Sequence, residues 1–447
     1  MLFIIPALLL LIYSLFDFKK AYFLYLLYSV IWAPQAEVVT IGGFHVILNM
    51  ITSAGFLFSL TLYSWRKNKG RTVKGVSLKS LLQKDTMPFR FAFLLIGLSM
   101  FLSCFFSVGG FVEEFPRIAS KYLQVYITIW ITWYAVETQE EFEWVLKGLI
   151  LMFTLAGIYG MLEYLIQSNP LYEYKQTIAP TMLPSQTSAM KRGYQITSFF
   201  DHRLGAGLTL ALYPTFILSL LINRPKLLPW KKLACLSAFL CVICLILNKN
   251  RSAYLFFLLA ILPCINLNSK AFRILAPIGI AAFIAALFLV PQLKDLLFSL
   301  FDTAAQKRVS GSSVSMRMQQ FEACLQLVKQ SPVFGLGEKF SDYISNKYTK
   351  AALGYESVWL EQLVKHGIVG IIVQLILMVY MTILLPLRTR SKELLFLGIA
   401  YWGSYTISTF LAFRLDIFYF FLFYLIKSCL YHNNPQKSNL QHEGTNI

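Results

Sequence analysis

The feature that most limits this chain is a succession of apolar runs, most of them near the length of a bilayer span, with the charge gathered in short segments between them. A membrane-crossing helix needs about 20 mostly apolar residues, with ~17 a working minimum. Runs near that length fall at 2–16, 21–34, 44–64, 91–108, 118–136, 146–166, 205–222, 233–247, 253–267, 274–290, 367–386, 394–412 and 415–430. The first two are short and read equally well as one irregular span. The expectation is therefore an all-α polytopic membrane protein with twelve or thirteen transmembrane helices. Continuous runs, rather than alternating segments of about ten residues, exclude an outer-membrane barrel. Composition agrees: 57% of the 447 residues are apolar and 14% are charged, against roughly a quarter charged in soluble domains.

The formal charge of +18 takes its meaning from where it sits. A nucleic-acid binder would carry such an excess on a mostly polar chain. Here residues 65–90 hold Arg66, Lys67, Lys69, Arg71, Lys74, Lys79, Lys84 and Arg90 against the single acid Asp85. Residues 223–232 add Arg224, Lys226, Lys231 and Lys232, followed by Lys270 with Arg273 and by Arg388, Arg390 and Lys392. With the spans as read, all four clusters share one side, which the positive-inside rule makes the cytoplasm. The first apolar run lacks a basic leader and a small-residue cleavage site, so no cleavable signal peptide is expected. The chain then divides into amino-terminal spans at 1–166, a transmembrane core with an external loop 167–204 at 167–290, a large external cap loop at 291–366, and carboxy-terminal spans with a cytoplasmic tail at 367–447.

Six of the seven cysteines fall inside spans, and Cys324 alone is expected to face the exterior, so no external disulfide is expected within one chain. Cys241-x-x-Cys244 lies mid-span without a companion pair or histidine, which favours small apolar packing over redox or metal chemistry.

The two long external segments are where function is expected, because loops beyond ~12–15 residues in a compact protein usually carry it. Residues 315–330 place Phe321, Leu325 and Val328 on one face of an amphipathic helix. Pro332 stops that helix, and Gly335-Leu336-Gly337 makes a tight turn. Residues 355–366 form a further helix feeding the span after Gly367. The same face holds Lys191, Arg192, Arg203, Lys249, Arg251, Arg308 and Arg317, against the positive-inside trend. Arg251 sits in a short external turn of five or six residues, NKNRSA. Any one such cation can snorkel to the interface. Several converging arginines suit a diphosphate, which guanidinium grips through two parallel hydrogen bonds.

Carboxylates stand nearby. Asp201 lies in FFDHRLGAG where the chain re-enters the membrane, and Glu356 and Glu361 lie in GYESVWLEQL. A carboxylate in apolar surroundings is raised toward neutrality and suits proton abstraction from a hydroxyl. Glu356 also fits a plain helix N-terminal acid, and His202 and His366 are alternative bases. No H-E-x-x-H, Walker loop, G-x-S-x-G or external zinc-ligand spacing occurs. Without a cytoplasmic ATPase domain, a reaction would run outside on an already activated substrate, and neither metal nor cofactor is expected.

Three segments together resemble the bacterial O-antigen ligase and O-antigen (Wzy-type) polymerase superfamily. RGYQITSFFDHRLGAGLTLALYP at 192–214 is similar to its Arg followed by G-T-F-x-N-P-N-x-x-A and a span ending in Pro. NKNRSAYLFFLLA at 248–260 resembles its S-R-[GS]-A segment. The stretch from Arg317 through SPVFGLGEKF to ESVWLEQLVKHGIVG resembles P-[LI]-x-G-x-G followed by H-N-x-x-L-x-x-x-x-E-x-G-I-x-G. The ordered likeness runs from about residue 185 to 385, and the amino-terminal half matches only as a string of spans. Two departures stand out: Asp201-His202-Arg203 replaces Asn-Pro-Asn, and Glu356-Ser357 replaces the His-Asn pair whose His is the expected base in the ligases.

The resemblance implies a membrane glycosyltransferase of the bacterial inner membrane, acting on the external face. Its substrate would be an undecaprenyl-diphosphate-linked oligosaccharide, its surroundings membrane lipid, and its partners would extend to a chain-length regulator but not to nucleic acid. Polymerisation of repeat units for O-antigen, capsule or exopolysaccharide is the first expectation, by an inverting, metal-independent transfer. Glu356 and Arg251 would be catalytic, while Arg192, Arg203, Arg317, Asp201 and His202 would bind diphosphate or glycan. A ligase moving finished glycan to lipid A-core or another acceptor is the alternative. A flippase or transporter of lipid-linked sugars is a third; it would place charges mid-span and pair broken helices.

Overall fold

A computed structural model describes residues 2–41, 44–68, 87–179, 194–264, 314–344, 354–407 and 414–432, with positions 277 and 281 in isolation. The architecture is a helical bundle: α1 (Ile4–Ser14) and α2 (Phe18–Tyr28), α3 (Leu48–Asn68), α4 (Arg90–Cys104), α5 (Phe111–Tyr122), α6 (Thr128–Ala135), α7 (Gln139–Ile166) and α8 (Pro170–Ile178) form its first part. It continues with α9 (Arg203–Asn223), α10 (Lys231–Asn248), α11 (Arg251–Ile261), α12 (Val314–Val328), α13 (Val358–Val379), α14 (Lys392–Thr406) and α15 (Leu415–His432).

Local chemistry explains several of the starts. Thr138 and Glu141 close a capping box on α7, the hydroxyl accepting from the Glu141 amide and the carboxylate from the Thr138 amide. Asp17, Asn169 and Ser391 cap α2, α8 and α14 through side-chain oxygens that accept from the first turn.

By length and composition, α7, α9, α10 and the helix from Val358 to Thr389 each suffice to cross a membrane. Ile4–Ser14, Arg90–Cys104 and Arg251–Cys264 are shorter apolar helices. α1 and α2 have 11 residues each, a rise of ~16 Å, about half the hydrocarbon thickness. They pack as a pair, in keeping with the irregular start expected. The span expected at 274–290 lies, apart from 277 and 281, outside the described residues.

The helices share two polar ends. At one, Lys19 bridges Glu137 and Glu141, both at 2.8 Å, Lys67 reaches Glu137 at 3.8 Å, and Arg224 meets Glu393 at 3.8 Å. The basic segments at 65–68, 223–232 and 388–392 thus gather on one side, as their charge implied. At the opposite end the Tyr28 hydroxyl donates to the Phe3 carbonyl at 2.8 Å, and Leu2 N–H donates to the Tyr174 hydroxyl at 3.3 Å.

Between these ends α9 and α15 are buried nearly all round, as helices apolar on every face should be. Phe216 and Phe421 stack at 4.1 Å between them. α7 and α10 approach closely at Gly157 and Gly160, where an added Cβ would lie 2.7 Å from Leu240 and 2.9 Å from Cys244. Cys241 and Cys244 are buried there as small packing groups, and all seven cysteines are free thiols. Small residues at such an interface let two membrane helices come together.

Three expectations are corrected. The run expected as a span from residue 44 begins with an antiparallel hairpin, β1 (Glu37–Ile41) with β2 (Phe44–Ile47), pairing Val39 with Val46 and Thr40 with His45. Consecutive β-branched residues, Val38-Val39-Thr40-Ile41 before Gly42-Gly43 and Val46-Ile47 after, are the local reason. The helix of the 118–136 run starts earlier, at Phe111, and passes from α5 to α6 through a π-helical turn at Leu123–Ile127.

α12 forms where expected, and the structure shows which face it buries. Gln320, Ala323, Cys324 and Leu327 are its buried stripe, while Phe321 and Leu325 are 45% and 48% exposed. Larger apolar side chains facing outward suit lipid contact, and the smaller ones let the helix sit close to α13. Cys324 is consequently buried within the fold, its thiol 3.8 Å from the Leu360 carbonyl. Finally, the NKNRSA turn is tighter than five or six residues, because α10 runs to Asn248 and α11 starts at Arg251.

Candidate active site

The loop entering α9 is shaped by a carboxylate that the sequence did not single out. Glu163, buried near the end of α7, accepts from the amides of Thr197 and Ser198 at 2.9 and 2.6 Å and from the Tyr194 hydroxyl at 3.0 Å. These bonds hold Ser198 at φ 52°, a left-handed conformation uncommon for a side chain of this type. Asn169 adds a second pin, donating to the Thr197 hydroxyl at 2.8 Å and the Ser198 carbonyl at 2.9 Å.

Lys175 supplies a third. Its ammonium is fully buried and donates to Asp201 at 2.7 Å and to the carbonyls of Trp32 and Phe199 at 2.9 and 2.5 Å. Burial draws the Lys175 ammonium below its ordinary value, and Asp201 pulls the other way. Asp201 is thereby an anchored carboxylate. The next residue, His202, caps α9 by accepting from the Leu204 amide at 3.2 Å, which leaves its ring exposed at the rim. Arg203 opens α9 and interacts electrostatically with Tyr172, Tyr194 and Glu163. Arg192 and Lys191 lie outside the described residues.

A neighbouring turn brings Arg251 to the same end. Asn248 donates to the carbonyls of Ile196 and Arg203 at 2.7 and 3.0 Å, tying the end of α10 to the start of α9. Gly207 makes room: an added Cβ would collide with the Asn248 side chain and lie 3.0 Å from Ala253. Lys249 then takes a left-handed φ of 55°, and Asn250 caps α11 by accepting from the Ser252 amide at 3.1 Å. Arg251 is the first residue of α11, at the rim rather than within the bundle.

The third component comes from far along the chain. Arg317 of α12 pairs with Glu356 at 3.3 Å and also donates to the Ile407 carbonyl at 3.4 Å. Gln320, one turn on, holds the backbone beneath Glu356: it donates to the Gly354 carbonyl at 2.7 Å and accepts from the Glu356 amide at 3.3 Å. Trp359 stacks on Trp402, ring centres 5.6 Å apart, and donates to Thr406 at 3.1 Å. Arg251 is electrostatically coupled to both Arg317 and Glu356. Three residues from separate elements therefore converge, two guanidiniums and a carboxylate, with the Arg317 and Glu356 side chains 43% and 37% exposed. Arg203, His202 and Asp201 stand on the adjoining loop. Arg308 lies outside the described residues.

His366 and Glu361 belong to a different assembly. His366 is buried, its Nδ1 3.0 Å from the Ser103 hydroxyl and its Nε2 3.4 Å from Glu338, while Glu361 pairs with Lys365 at 2.5 Å. Neither faces the exposed rim where Glu356 stands.

The segment 332–338 explains the glycine pattern. At Gly367 (φ 65°, ψ −160°) the helix is interrupted, leaving carbonyls and amides on either side of the break in need of partners. Leu336 and Gly337 amides donate to the Val364 and Lys365 carbonyls at 2.8 and 3.0 Å, and the Ile368 and Val369 amides donate to Pro332 and Val333 at 2.9 and 3.2 Å. Gly335 and Gly337 have φ of 76° and 89°, and a Cβ on either would run into Lys365 backbone or the Ser107 side chain. The tight turn read from Gly335-Leu336-Gly337 is thus a strap around the broken helix.

No group of three or more potential metal ligands occurs among the described residues. No curated protein matches the sequence. Residues 236–375, just under a third of the chain, match the family model described as O-antigen ligase (Wzy_C), a stretch that contains Arg251, Arg317 and Glu356 and is consistent with the O-antigen ligase/polymerase superfamily.

Proposed function

We propose that this protein polymerises lipid-linked oligosaccharide repeat units, transferring a growing glycan from undecaprenyl diphosphate to a sugar hydroxyl of the next unit on the outer leaflet of the bacterial inner membrane. The observation that carries the reading is the convergence of Arg251, Arg317 and Glu356 at the polar end opposite the basic loops. Arg317 pairs with Glu356 at 3.3 Å. An incoming diphosphate competes for that guanidinium, so binding the donor frees the carboxylate for the acceptor.

Chemistry then follows from charge. Arg251 and Arg317, joined by Arg203 and Arg192, offset the negative charge that develops on the diphosphate as the anomeric C–O bond breaks. Glu356 takes the proton from the acceptor hydroxyl, whose oxygen attacks the anomeric carbon from the opposite face and inverts it. His202, and Asp201 through its hold on the loop, border the glycan. The division into 1–166, 167–290, 291–366 and 367–447 belongs to this reading, with 291–366 covering the site and a chain-length regulator acting beside it.

The ligase alternative keeps one point in its favour, the description of the matching family as O-antigen ligase. A glycan ladder gel of lipid-linked and surface material separates the two. In a deletion strain a polymerase leaves single repeats on the surface acceptor, whereas a ligase leaves long polymer on the undecaprenyl lipid. Complementation with Glu356→Gln is expected to lower chain extension ~10²–10⁴-fold, the range for a lost general base. Arg251→Ala is expected to lower it ~10²–10³-fold. Near-normal ladders from both variants, at normal membrane levels, would refute the assignment. Units trapped on the cytoplasmic leaflet would point to transport instead.

A further inference from the structure

Behind the exposed rim lies a buried charge network that the proposed chemistry does not use. Its centre is Glu338, whose carboxylate receives Lys121 from the end of α5, Lys365 at 2.7 Å, and His366 at 3.4 Å. The Glu338 amide donates to Glu114, also on α5. Lys365 is shared with Glu361 at 2.5 Å. Burial opposes ionisation of the Glu338 carboxyl, yet Lys121, Lys365 and His366 together hold it well below the usual carboxylate range. Glu338 therefore joins two largely shielded lysines that approach from different helices, one of them also held by Glu361.

The placement of this network relative to Glu356 carries the inference. The first part of α13, Val358–His366, has Glu356 just before its start and Lys365-His366 at its end, immediately before the Gly367 break. Because the helix is interrupted there, the continuous backbone ladder that would fix its direction against the following span is lost. The strap 332–338 and the Glu338 carboxylate replace it, fastening the far end of the short helix to α5. At the near end Gln320 and Arg317 hold the chain beside Glu356, and Trp359 adds its stack on Trp402.

We propose that Glu338 is a positioning residue: by clamping Lys365 and His366 against Lys121, it aims the Val358–His366 helix so that Glu356 meets Arg317 and Arg251. The consequence for glycan transfer rests on the reading of that site given above, while the positional claim does not. Removing the carboxylate leaves Lys121 and Lys365 without the anion they share, Lys365 keeping Glu361 alone, and like charges in partly shielded surroundings repel. The short helix would swing about Gly367 and carry Glu356 away from the rim.

The test reads geometry separately from activity. The double substitution Arg317→Cys/Glu356→Cys supplies a thiol pair in the full-length protein in membranes, crosslinked with a short bifunctional methanethiosulfonate. Adding Glu338→Gln is expected to slow that crosslinking at least about fivefold, with membrane level and susceptibility to protease unchanged. In the background with native Arg317 and Glu356, Glu338→Gln is expected to shorten glycan ladders, and Glu338→Asp to restore them partly. Should Glu338→Gln fail to accumulate, Glu338→Gln/Lys365→Met removes an anion and a cation together and is expected to slow crosslinking by the same factor.

A crosslinking rate within twofold of the parent in either folded variant overturns the proposal. Failure of both variants to reach the membrane also overturns it, since Glu338 would then serve folding alone. Slowed crosslinking with ladders unaffected by Glu356→Gln would uphold the positional role and sink the catalytic reading of Glu356.

Discussion

Replacing Lys175 by Met tests how the site loop is held, and the size of the effect can be worked out from its surroundings. The ammonium has no solvent exposure and three acceptors: Asp201 and the carbonyls of Trp32 and Phe199. Met keeps most of the volume and loses all three bonds. Breaking one side of a buried ion pair destabilises by ~3–5 kcal/mol, because the other charge stays uncompensated. Asp201 retains 12% exposure, and the substitution also relieves the cost of burying the ammonium, so the lower end applies. About 3 kcal/mol corresponds to a factor of about 150 in the folded-to-unfolded ratio.

The assay is chemical or thermal unfolding of purified protein in detergent, with the ladder gel in parallel. Asp201→Asn in the Lys175→Met background removes the stranded charge and is expected to return at least half of the loss. A single variant within about 1 kcal/mol of wild type, well below the range for a broken buried pair, would refute the reasoning. So would a double variant no better than the single one, since the penalty would then owe nothing to Asp201.

Two further outcomes follow from backbone and charge. Gly367→Ala forces a side chain into a conformation reserved for glycine and against the Val333 carbonyl, and is expected to destabilise by at least about 1–3 kcal/mol; an unfolding midpoint equal to wild type would contradict the strap description. For Glu338 the folded carboxyl titrates well below its unfolded value of 4.5, so its contribution to stability is present in full above that value and fades as pH falls toward the folded one. The gap in melting temperature between wild type and Glu338→Gln should therefore be constant near neutrality and close on acidification below about pH 4; a gap that widens there would reverse the sign of the argument.

The sequence by itself determined that this is an all-α membrane protein and which polar end its basic loops share. Those properties are local. Apolar run length follows from bilayer thickness, and a capping box or a proline stop acts within a turn of its own position. Arg251, Arg317 and Glu356 were also legible, because arginines and a carboxylate at span ends are conspicuous against an apolar background.

Tertiary structure decided the rest. Lys175 and Asp201 are 26 residues apart, and Lys121 and Glu338 are 217 apart; no local pattern pairs them. Glu163 read as one more residue of a spanning helix until the 194–200 loop folded over it. The orientation of α12 was set by the tertiary structure for a different reason. In water its larger apolar residues would turn inward, but beside a bilayer two apolar environments compete for them. Phe321 and Leu325 face outward because Gln320, Cys324 and Leu327 fit against α13, a choice made by shape at the contact rather than by hydrophobicity along the chain.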